Sequence, residues 1–162
     1  MEGKSCCFSG HRKLPSEPEV MELRRRMRRA MWLCAKQGVI NFLTGGALGF
    51  DTIAALEVLQ MREEYPDIRL VLVLPCEDQT KGWRVPDVDL YRFIKREADE
   101  VICLYQQYVR GCMQQRNRYL AEHSQWCICY LNRGNGGTKY TVDLCRKNGV
   151  EVINLADEAS LI

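Results

Sequence analysis

The sequence lacks any apolar run long enough to cross a membrane. A spanning helix needs about 20 consecutive apolar residues, and the apolar runs here are much shorter and are interrupted by charged residues. The sequence also lacks a basic start followed by an apolar stretch and a cleavage site, which is the pattern of a secretory leader. We therefore expect a cytoplasmic protein with no membrane partner.

The chain also has little net charge. Its 23 Lys and Arg residues and 21 Asp and Glu residues leave a formal charge of +2, which by itself does not indicate nucleic acid as a partner. One predicted helix, beginning near Glu19, carries a run of basic residues. They are Arg24, Arg25, Arg26, Arg28 and Arg29. No aromatic side chains are interleaved to stack bases, so we interpret the run as a solvated face; nucleic acid is allowed as a partner but not favoured.

Paired zinc-type spacings are absent, although the chain has nine cysteines. Cys127-x-Cys129 has no second pair that would complete a zinc site. Several other cysteines lie in apolar runs, where a free thiol behaves as a small buried hydrophobic group. They are Cys6, Cys7, Cys34, Cys103 and Cys145. We expect core thiols and no metal.

What the sequence does contain is an alternation of strand-like and helix-like segments. With 162 residues it is long enough for one well-formed core and short for two, so we predict a single domain over 1–162. The predicted strands are Ser5–Ser9, Val39–Leu43, Ile68–Leu74, Glu100–Tyr105, Trp126–Leu131 and Val150–Ile153. This alternation predicts an α/β fold, a Rossmann-like three-layer αβα sandwich with a mainly parallel sheet.

Glycine-rich loops follow the first, second and fifth predicted strands. The clearest is Leu43–Asp51, where an apolar run ends in three glycines and a helix-like segment begins at once. Such loops let backbone amides approach a ligand, and a helix N-terminus favours an anion. Each loop alone has the alternative of a simple turn. Because parallel strands end at one edge of the sheet, we predict that the three loops line one pocket.

The candidate ligand-binding residues come from these loops and from one later helix. They are Gly10, His11, Arg12, Thr44, Gly45, Gly46, Ala47, Gly49, Asp51, Arg116, Asn117, Gly136, Gly137 and Thr138. Backbone amides, Thr138 and Arg116 would hold phosphate, and Asp51 or Asn117 would meet a hydroxyl group of the ligand. Asp51 also has a structural alternative, as an acid that complements the N-terminus of its helix.

The segment Cys76 to Asp89 shows no periodicity and is predicted to be a long loop before a helix over Leu90 to Ala98. Gln79 and Trp83 are the candidates for a lid in this loop, with Trp83 as a stacking or apolar surface. The alternative is that Trp83 anchors the loop to the body of the protein. No loop has the spacing of a Walker phosphate loop or of a dinucleotide fingerprint, which disfavours kinase-like hydrolysis and simple dehydrogenase activity.

Together these motifs resemble the YpsA-like branch of the SLOG superfamily, over nearly the whole chain. The matching segments are Ser9-Gly10-His11-Arg12, Thr44 to Asp51, Leu74-Pro75-Cys76, Ala98-Asp99, Arg116-Asn117 and Gly136-Gly137-Thr138. That superfamily includes the Rossmann-like domain of the DNA-processing protein DprA (Smf) and the LOG "lysine decarboxylase-like" phosphoribohydrolases. The resemblance implies a pocket for a nucleotide or a nucleotide-derived ligand. It does not carry over the LOG chemistry, because Tyr140 and Thr141 stand where the LOG motif has glutamates.

Three functions remain as hypotheses, in order of preference. The first is a module that binds or senses a nucleotide, with no certain cofactor. The second is a nucleoside-monophosphate phosphoribohydrolase or a related N-glycosidase. The third is a DprA-like nucleic-acid or protein interaction module. A homo-oligomer is compatible with each of them.

Overall fold

Six parallel strands form a sheet at the centre of the fold. The computed structural model describes residues 1–132 and 134–157. The strands are β1 Lys4–Gly10, β2 Val39–Thr44, β3 Arg69–Cys76, β4 Glu100–Tyr105, β5 Trp126–Tyr130 and β6 Glu151–Asn154. Their order is β4-β3-β2-β1-β5-β6, and each neighbouring pair is parallel. The predicted parallel sheet is confirmed.

Helices cover both faces of this sheet. Those described are α1 Glu17–Lys36, α2 Phe50–Glu64, α3 Val85–Glu97, α4 Cys112–Glu122 and α5 Gly137–Lys147. α2 packs against α1 and α3, and α4 packs against α5. Alternate strand residues supply two core clusters, so that Leu72 belongs to one and Val73 to the other. The predicted three-layer Rossmann-like α/β fold is therefore confirmed, and no described helix is long and apolar enough to span a membrane.

The strand order reverses at β1. The chain places β2, β3 and β4 on one side of β1 and then returns to place β5 and β6 on the other side. In an open α/β sheet, ligands bind outside the carboxyl ends of the strands at such a reversal. The loops that leave β1 and β5 border this point, so the topology itself selects a position for a site.

Two helices begin earlier than predicted. α1 begins at Glu17 and α3 at Val85, and each has a proline in its first turn. Proline is tolerated there because its missing N–H has no intrahelical partner in any case. β3 also continues through Pro75 to Cys76. The predicted loop from Cys76 to Asp89 is therefore wrong in its extent and shortens to residues 77–84.

The cysteines are buried as predicted, with one exception. Cys6, Cys7, Cys34, Cys127 and Cys145 are fully buried. Cys103 is only half-buried, because β4 lies at the edge of the sheet and has a neighbouring strand on one side only.

The arginines of α1 are largely engaged by acidic side chains. Arg24 and Arg28 bond the carboxylate of Glu57 on α2 at 2.7 and 3.0 Å, and Glu57 is only 3% exposed. Arg25 and Arg26 bond Glu22 one helical turn away. Much of this basic charge therefore neutralises acidic groups of the protein itself.

Candidate functional site

A cavity of about 390 Å³ opens at the carboxyl edge of the sheet, where the strand order reverses. We call it the main cavity. It is bordered by the loop after β1, the start of α2, one face of α4 and the start of α5. The lining residues are Phe8, Ser9, Gly10, His11, Arg12, Lys13, Ala47, Asp51, Met113, Arg116, Asn117, Leu120, Gly137 and Thr138. Its volume falls within the range of ordinary small-molecule sites.

The fold brings most of the candidate residues to this cavity. Those that line it are Gly10, His11, Arg12, Ala47, Asp51, Arg116, Asn117, Gly137 and Thr138. The candidates that are not among its described lining residues are Thr44, Gly45, Gly46, Gly49 and Gly136. Two of these contact residues that line the cavity. The Gly45 carbonyl accepts a hydrogen bond from Arg116, and the Gly49 backbone packs against that of Arg12.

The carboxylate of Asp51 accepts hydrogen bonds from backbone amides of the loop between β2 and α2. The Ala47 N–H donates to Asp51 Oδ2 at 3.2 Å, and the Gly45 amide also stabilises this carboxylate. Thr52 Oγ1 donates to the Ala47 carbonyl at 3.1 Å and closes the loop from the other side. The Ala47 amide is therefore already paired, and a ligand anion is better accommodated at another wall of the cavity.

Arg116 is a buried cation that the protein holds by its own polar groups. The side chain is 6% exposed; one terminal nitrogen donates to the Gly45 carbonyl at 2.5 Å and Nε donates to Asn117 Oδ1 at 2.8 Å. A weaker contact joins its other terminal nitrogen to Met113 Sδ at 3.7 Å. A guanidinium carries five N–H donors, so these contacts leave donors available on the wall of the cavity.

Burial shifts the protonation equilibria of both Asp51 and Arg116. Burial raises the pKa of Asp51 above its ordinary value, although Arg116 acts in the opposite direction. Burial lowers the pKa of Arg116, although Asp51 acts in the opposite direction. Both shifts indicate that desolvation exceeds the mutual attraction of the two charges. An additional anion near Arg116 would offset part of this cost.

The N-terminus of α5 supplies a second positive feature. Gly136 is the N-cap residue of α5, and no side chain of residues 1–132 or 134–157 caps the first turn. Thr138 is 6% exposed, and its hydroxyl lies 3.4 Å from His11 Nδ1. The unpaired N–H groups and the dipole of a helix N-terminus favour an anion. Arg12 and Lys13, which are both exposed, line the same cavity as this end of α5.

The two lid candidates are held in different ways. Gln79 is 7% exposed, and its amide donates to the Gly45 carbonyl at 3.4 Å. Trp83 packs edge-on against Tyr91 of α3, with ring centroids 5.5 Å apart, and contacts the core. This packing matches the alternative that Trp83 anchors the segment, and lid closure stays a prediction. Both residues border a second cavity of about 480 Å³, which shares Arg12 and Met113 with the main cavity.

Lys13 and Met113 also line the main cavity, although they are not among the residues predicted from the sequence. Lys13 directly follows Gly10-His11-Arg12, so the loop after β1 could have been extended by one residue. Met113 lies three residues before Arg116, one helical turn away on α4, and this spacing was the available signal.

Thr141 and Tyr140, which stand where the LOG motif has glutamates, pack within the fold of this chain. Thr141 is fully buried and its hydroxyl donates to the Gly137 carbonyl at 2.9 Å within α5. Tyr140 is half-buried on the same helix. Among the described lining residues of the main cavity, Asp51 is the one carboxylate.

Comparisons with known proteins connect this arrangement to a family. Residues 13–152 match the YpsA family model, described as the YspA SLOG family. The uncharacterized SPbeta prophage-derived protein YoqJ of Bacillus subtilis strain 168 is 26% identical over 127 residues, which cover 71% of this chain and 74% of YoqJ. A UPF0398 protein of Bacillus thuringiensis strain Al Hakam is 27% identical over 135 residues, which cover 82% of this chain and 73% of that protein.

Two solved structures share the fold. DNA processing protein A (DprA) of Helicobacter pylori, described for its single-stranded DNA binding mode, superposes with a TM-score of 0.63 at 19% identity. DprA of Streptococcus pneumoniae superposes with a TM-score of 0.65 at 17% identity. Each match covers 92% of this chain, which spans only 63% and 49% of the two DprA chains, respectively. Identities this low establish the common architecture and leave ligands and activities to be argued from the site.

Proposed function

Because the chain belongs to the YspA SLOG family, we propose that it binds a nucleotide or a nucleotide-derived ligand through a phosphate group in the main cavity. One observation carries the proposal. The cations Arg12, Lys13 and Arg116 converge with the uncapped N-terminus of α5 on a cavity in which Asp51 is the one described carboxylate. This excess of positive groups suits an anion that carries more than one negative charge.

The phosphate lies at the first turn of α5. There it accepts bonds from the backbone amides at Gly137 and Thr138 and from the guanidinium of Arg12. Asn117, whose side-chain oxygen is engaged by Arg116, keeps its amide N–H groups for a ribose hydroxyl. Asp51 offers carboxylate oxygens to the same sugar. The base extends past Arg12 and Met113 toward the second cavity.

A thermal-shift panel tests this proposal directly. Nucleosides, nucleoside monophosphates and ADP-ribose-like compounds are compared at matched concentrations. A ligand present at 100 times its Kd adds about 2.7 kcal/mol to the free energy of unfolding. We expect phosphate-bearing ligands to stabilise the protein and the corresponding nucleosides to have much less effect.

Arg12→Gln is expected to weaken nucleotide binding by about 10- to 100-fold, because a charged hydrogen bond contributes about 1.5 to 3 kcal/mol. The Arg12 side chain is exposed, so the fold tolerates its replacement. Arg29→Gln is the matched control, since Arg29 is an exposed arginine of α1 outside the cavity. Isothermal titration gives the affinities. Equal affinities for the two variants, or no stabilisation by any phosphate-bearing ligand, would refute the proposal.

Anion affinity is expected to rise as the pH falls through the raised pKa of Asp51. Protonation removes the negative charge of this carboxyl, which otherwise repels an anion in the same cavity. Sulfate is a suitable probe because its charge does not change between neutral and mildly acidic pH. We expect Asp51→Asn to bind sulfate about tenfold more tightly at neutral pH, which corresponds to about one pKa unit of interaction.

His11, Arg12, Lys13 and Arg116 are the other titratable or charged groups among the described lining residues. They are present in both proteins, so the difference between the wild-type and Asp51→Asn pH profiles isolates the contribution of Asp51. Parallel profiles would show that the Asp51 charge does not act on the bound anion.

Single-stranded nucleic acid is a second candidate ligand. The observation in its favour is that the main and second cavities share Arg12 and Met113, and the second cavity adds Lys81 to the cationic side chains. A chain of phosphates could follow this surface. The discriminating measurement is the salt dependence of oligonucleotide binding, which is steep when several phosphates are contacted. A mononucleotide that binds as tightly as an oligonucleotide favours the first candidate.

Cleavage of an N-glycosidic bond requires more than the cavity offers among its described lining residues. Burial raises the pKa of Asp51, which is the direction of shift that a general acid requires. A second carboxylate, which would complete the pair used in glycoside hydrolysis, is not among those residues. We therefore prefer a binding function to a catalytic one. If the wild type released free base from a nucleotide and Asp51→Asn did not, the catalytic function would be preferred.

A further inference from the structure

Three cysteine thiols meet in the core beneath α5. Cys7 of β1 and Cys127 of β5 are direct partners in adjacent parallel strands, and Cys145 of α5 packs over them. Their Sγ atoms all lie within 4.8 Å of one another, and all three residues are fully buried. We call these residues the three-thiol cluster. It lies within the core cluster on the α4 and α5 side of the sheet.

The surroundings of the three-thiol cluster are apolar apart from one hydroxyl. Leu120, Val142 and Val150 belong to the same core cluster. Ser124 is 5% exposed, its hydroxyl has no hydrogen-bond partner among the described residues, and it lies close enough to Cys7 to interact with that thiol. A buried hydroxyl without a partner is costly, and its position beside Cys7 marks a polar point in an otherwise apolar region.

The spacing of the sulfur atoms fits a single central atom. Around a trivalent atom that carries a lone pair, three sulfurs bonded at about 2.3 Å form a pyramid and lie about 3.5 Å apart. The thiols, which are within 4.8 Å of one another, have to move closer together to reach this geometry. Soft thiolate ligands select soft, thiophilic elements. The two strands and the helix that carry the thiols therefore form a preassembled ligand set.

Charge selects among the thiophilic elements. Zinc prefers four ligands in structural sites, and three thiolates around a divalent or monovalent ion leave a net negative charge in the apolar core. An uncompensated buried charge is strongly unfavourable. A trivalent centre with three thiolates is neutral. We propose that Cys7, Cys127 and Cys145 form a binding site for a trivalent thiophilic element, with arsenic(III) as its representative.

The binding step is a balanced condensation. Arsenous acid, As(OH)₃, enters as a neutral molecule, three As–O bonds break, and three As–S bonds form. Each thiol proton leaves with one hydroxyl group, so that three molecules of water are released and no atom changes oxidation state. Because the thiols are fully buried, entry requires a local opening of α5, and binding is measured after long incubation.

Native mass spectrometry of the reduced, folded protein tests this site. Incubation with arsenite is expected to add the mass of one arsenic atom less three protons. Cys145→Ala and Cys127→Ser are expected to lose this adduct. Cys34→Ala is the matched control. Cys34 is an equally buried free thiol that interacts with the Cys6 thiol in the other core cluster. Circular dichroism establishes that each variant is folded before incubation.

An adduct in the wild type and in Cys34→Ala, but in neither cluster variant, supports the site. Two other results overturn it: no adduct on the folded wild type, or an adduct that persists in both cluster variants. Zinc and cadmium are added in parallel incubations. Retention of either ion in preference to arsenic(III) contradicts the assignment of a trivalent element.

Discussion

Arg116→Met is expected to lower the free energy of unfolding by about 3 to 5 kcal/mol, because it leaves a buried carboxylate without its main opposing charge. Arg116 is the largest favourable charge acting on Asp51, which is 8% exposed. Methionine keeps much of the side-chain volume but leaves this carboxylate without its main opposing charge. It also removes the bond to the Gly45 carbonyl. Urea denaturation followed by circular dichroism measures the loss.

Arg118→Met is the matched control for this prediction. Arg118 lies two residues along α4 and is exposed, so its replacement is expected to change stability by no more than about 0.5 kcal/mol. Adding Asp51→Asn to Arg116→Met removes the uncompensated carboxylate and is expected to recover part of the loss. Equal stabilities for Arg116→Met and Arg118→Met would show that the buried pair does not stabilise the fold.

Gly49→Ala is expected to cost about 2 to 5 kcal/mol, the sum of backbone strain at a φ and ψ that only glycine adopts readily and of steric overlap. Gly49 is the N-cap residue of α2 and has a φ of 79°. A Cβ atom at this position would overlap the backbone carbonyl of Arg12, which a side-chain rotation cannot relieve. The change therefore separates the loop after β1 from the start of α2, and with it two walls of the main cavity. Thermal unfolding measures the loss.

Gly111→Ala is a control for positive φ without close packing. Gly111 has a φ of 85° and a ψ of −1°, in the left-handed helical region, whereas the ψ of Gly49 is −116°, which is less favourable for alanine. A Cβ atom at Gly111 would meet no heavy atom of the described residues within 4 Å. We expect only the backbone strain, about 1 to 2 kcal/mol. If the two alanine variants have the same stability, close packing between Gly49 and Arg12 does not contribute.

The architecture could be predicted from the sequence because the pattern of apolar residues along each strand and helix matches the faces that are buried in the fold. The run through Leu70 and Leu74 is continuous because β3 is buried on both faces, and this pattern is independent of its distant neighbours. The loops after β1, β2 and β5 could also be assigned to one edge, since parallel strands impose that arrangement. The strand order, which places the reversal at β1, required the structure.

The details of the candidate site depended on contacts that local patterns do not encode. Pro86 could equally end a loop or begin a helix, and the structure places it in the first turn of α3. The Gly45 and Ala47 backbone groups were available to a ligand in the sequence, whereas the folded chain pairs them with Arg116 and Asp51. Arg116 reaches Gly45 from α4 through tertiary packing, and Asp51 lies in the first turn of the helix that follows the loop. The local motifs therefore predicted which residues gather at the main cavity better than which of their atoms are free there.

A crystal structure with the nucleotide that gives the largest thermal shift would show whether the main cavity holds a phosphate at the N-terminus of α5. We expect phosphate oxygens within hydrogen-bond distance of the backbone amides at Gly137 and Thr138 and of the Arg12 guanidinium. A nucleotide whose phosphate lies elsewhere, for example against the arginines of α1 while the main cavity stays empty, would contradict this expectation.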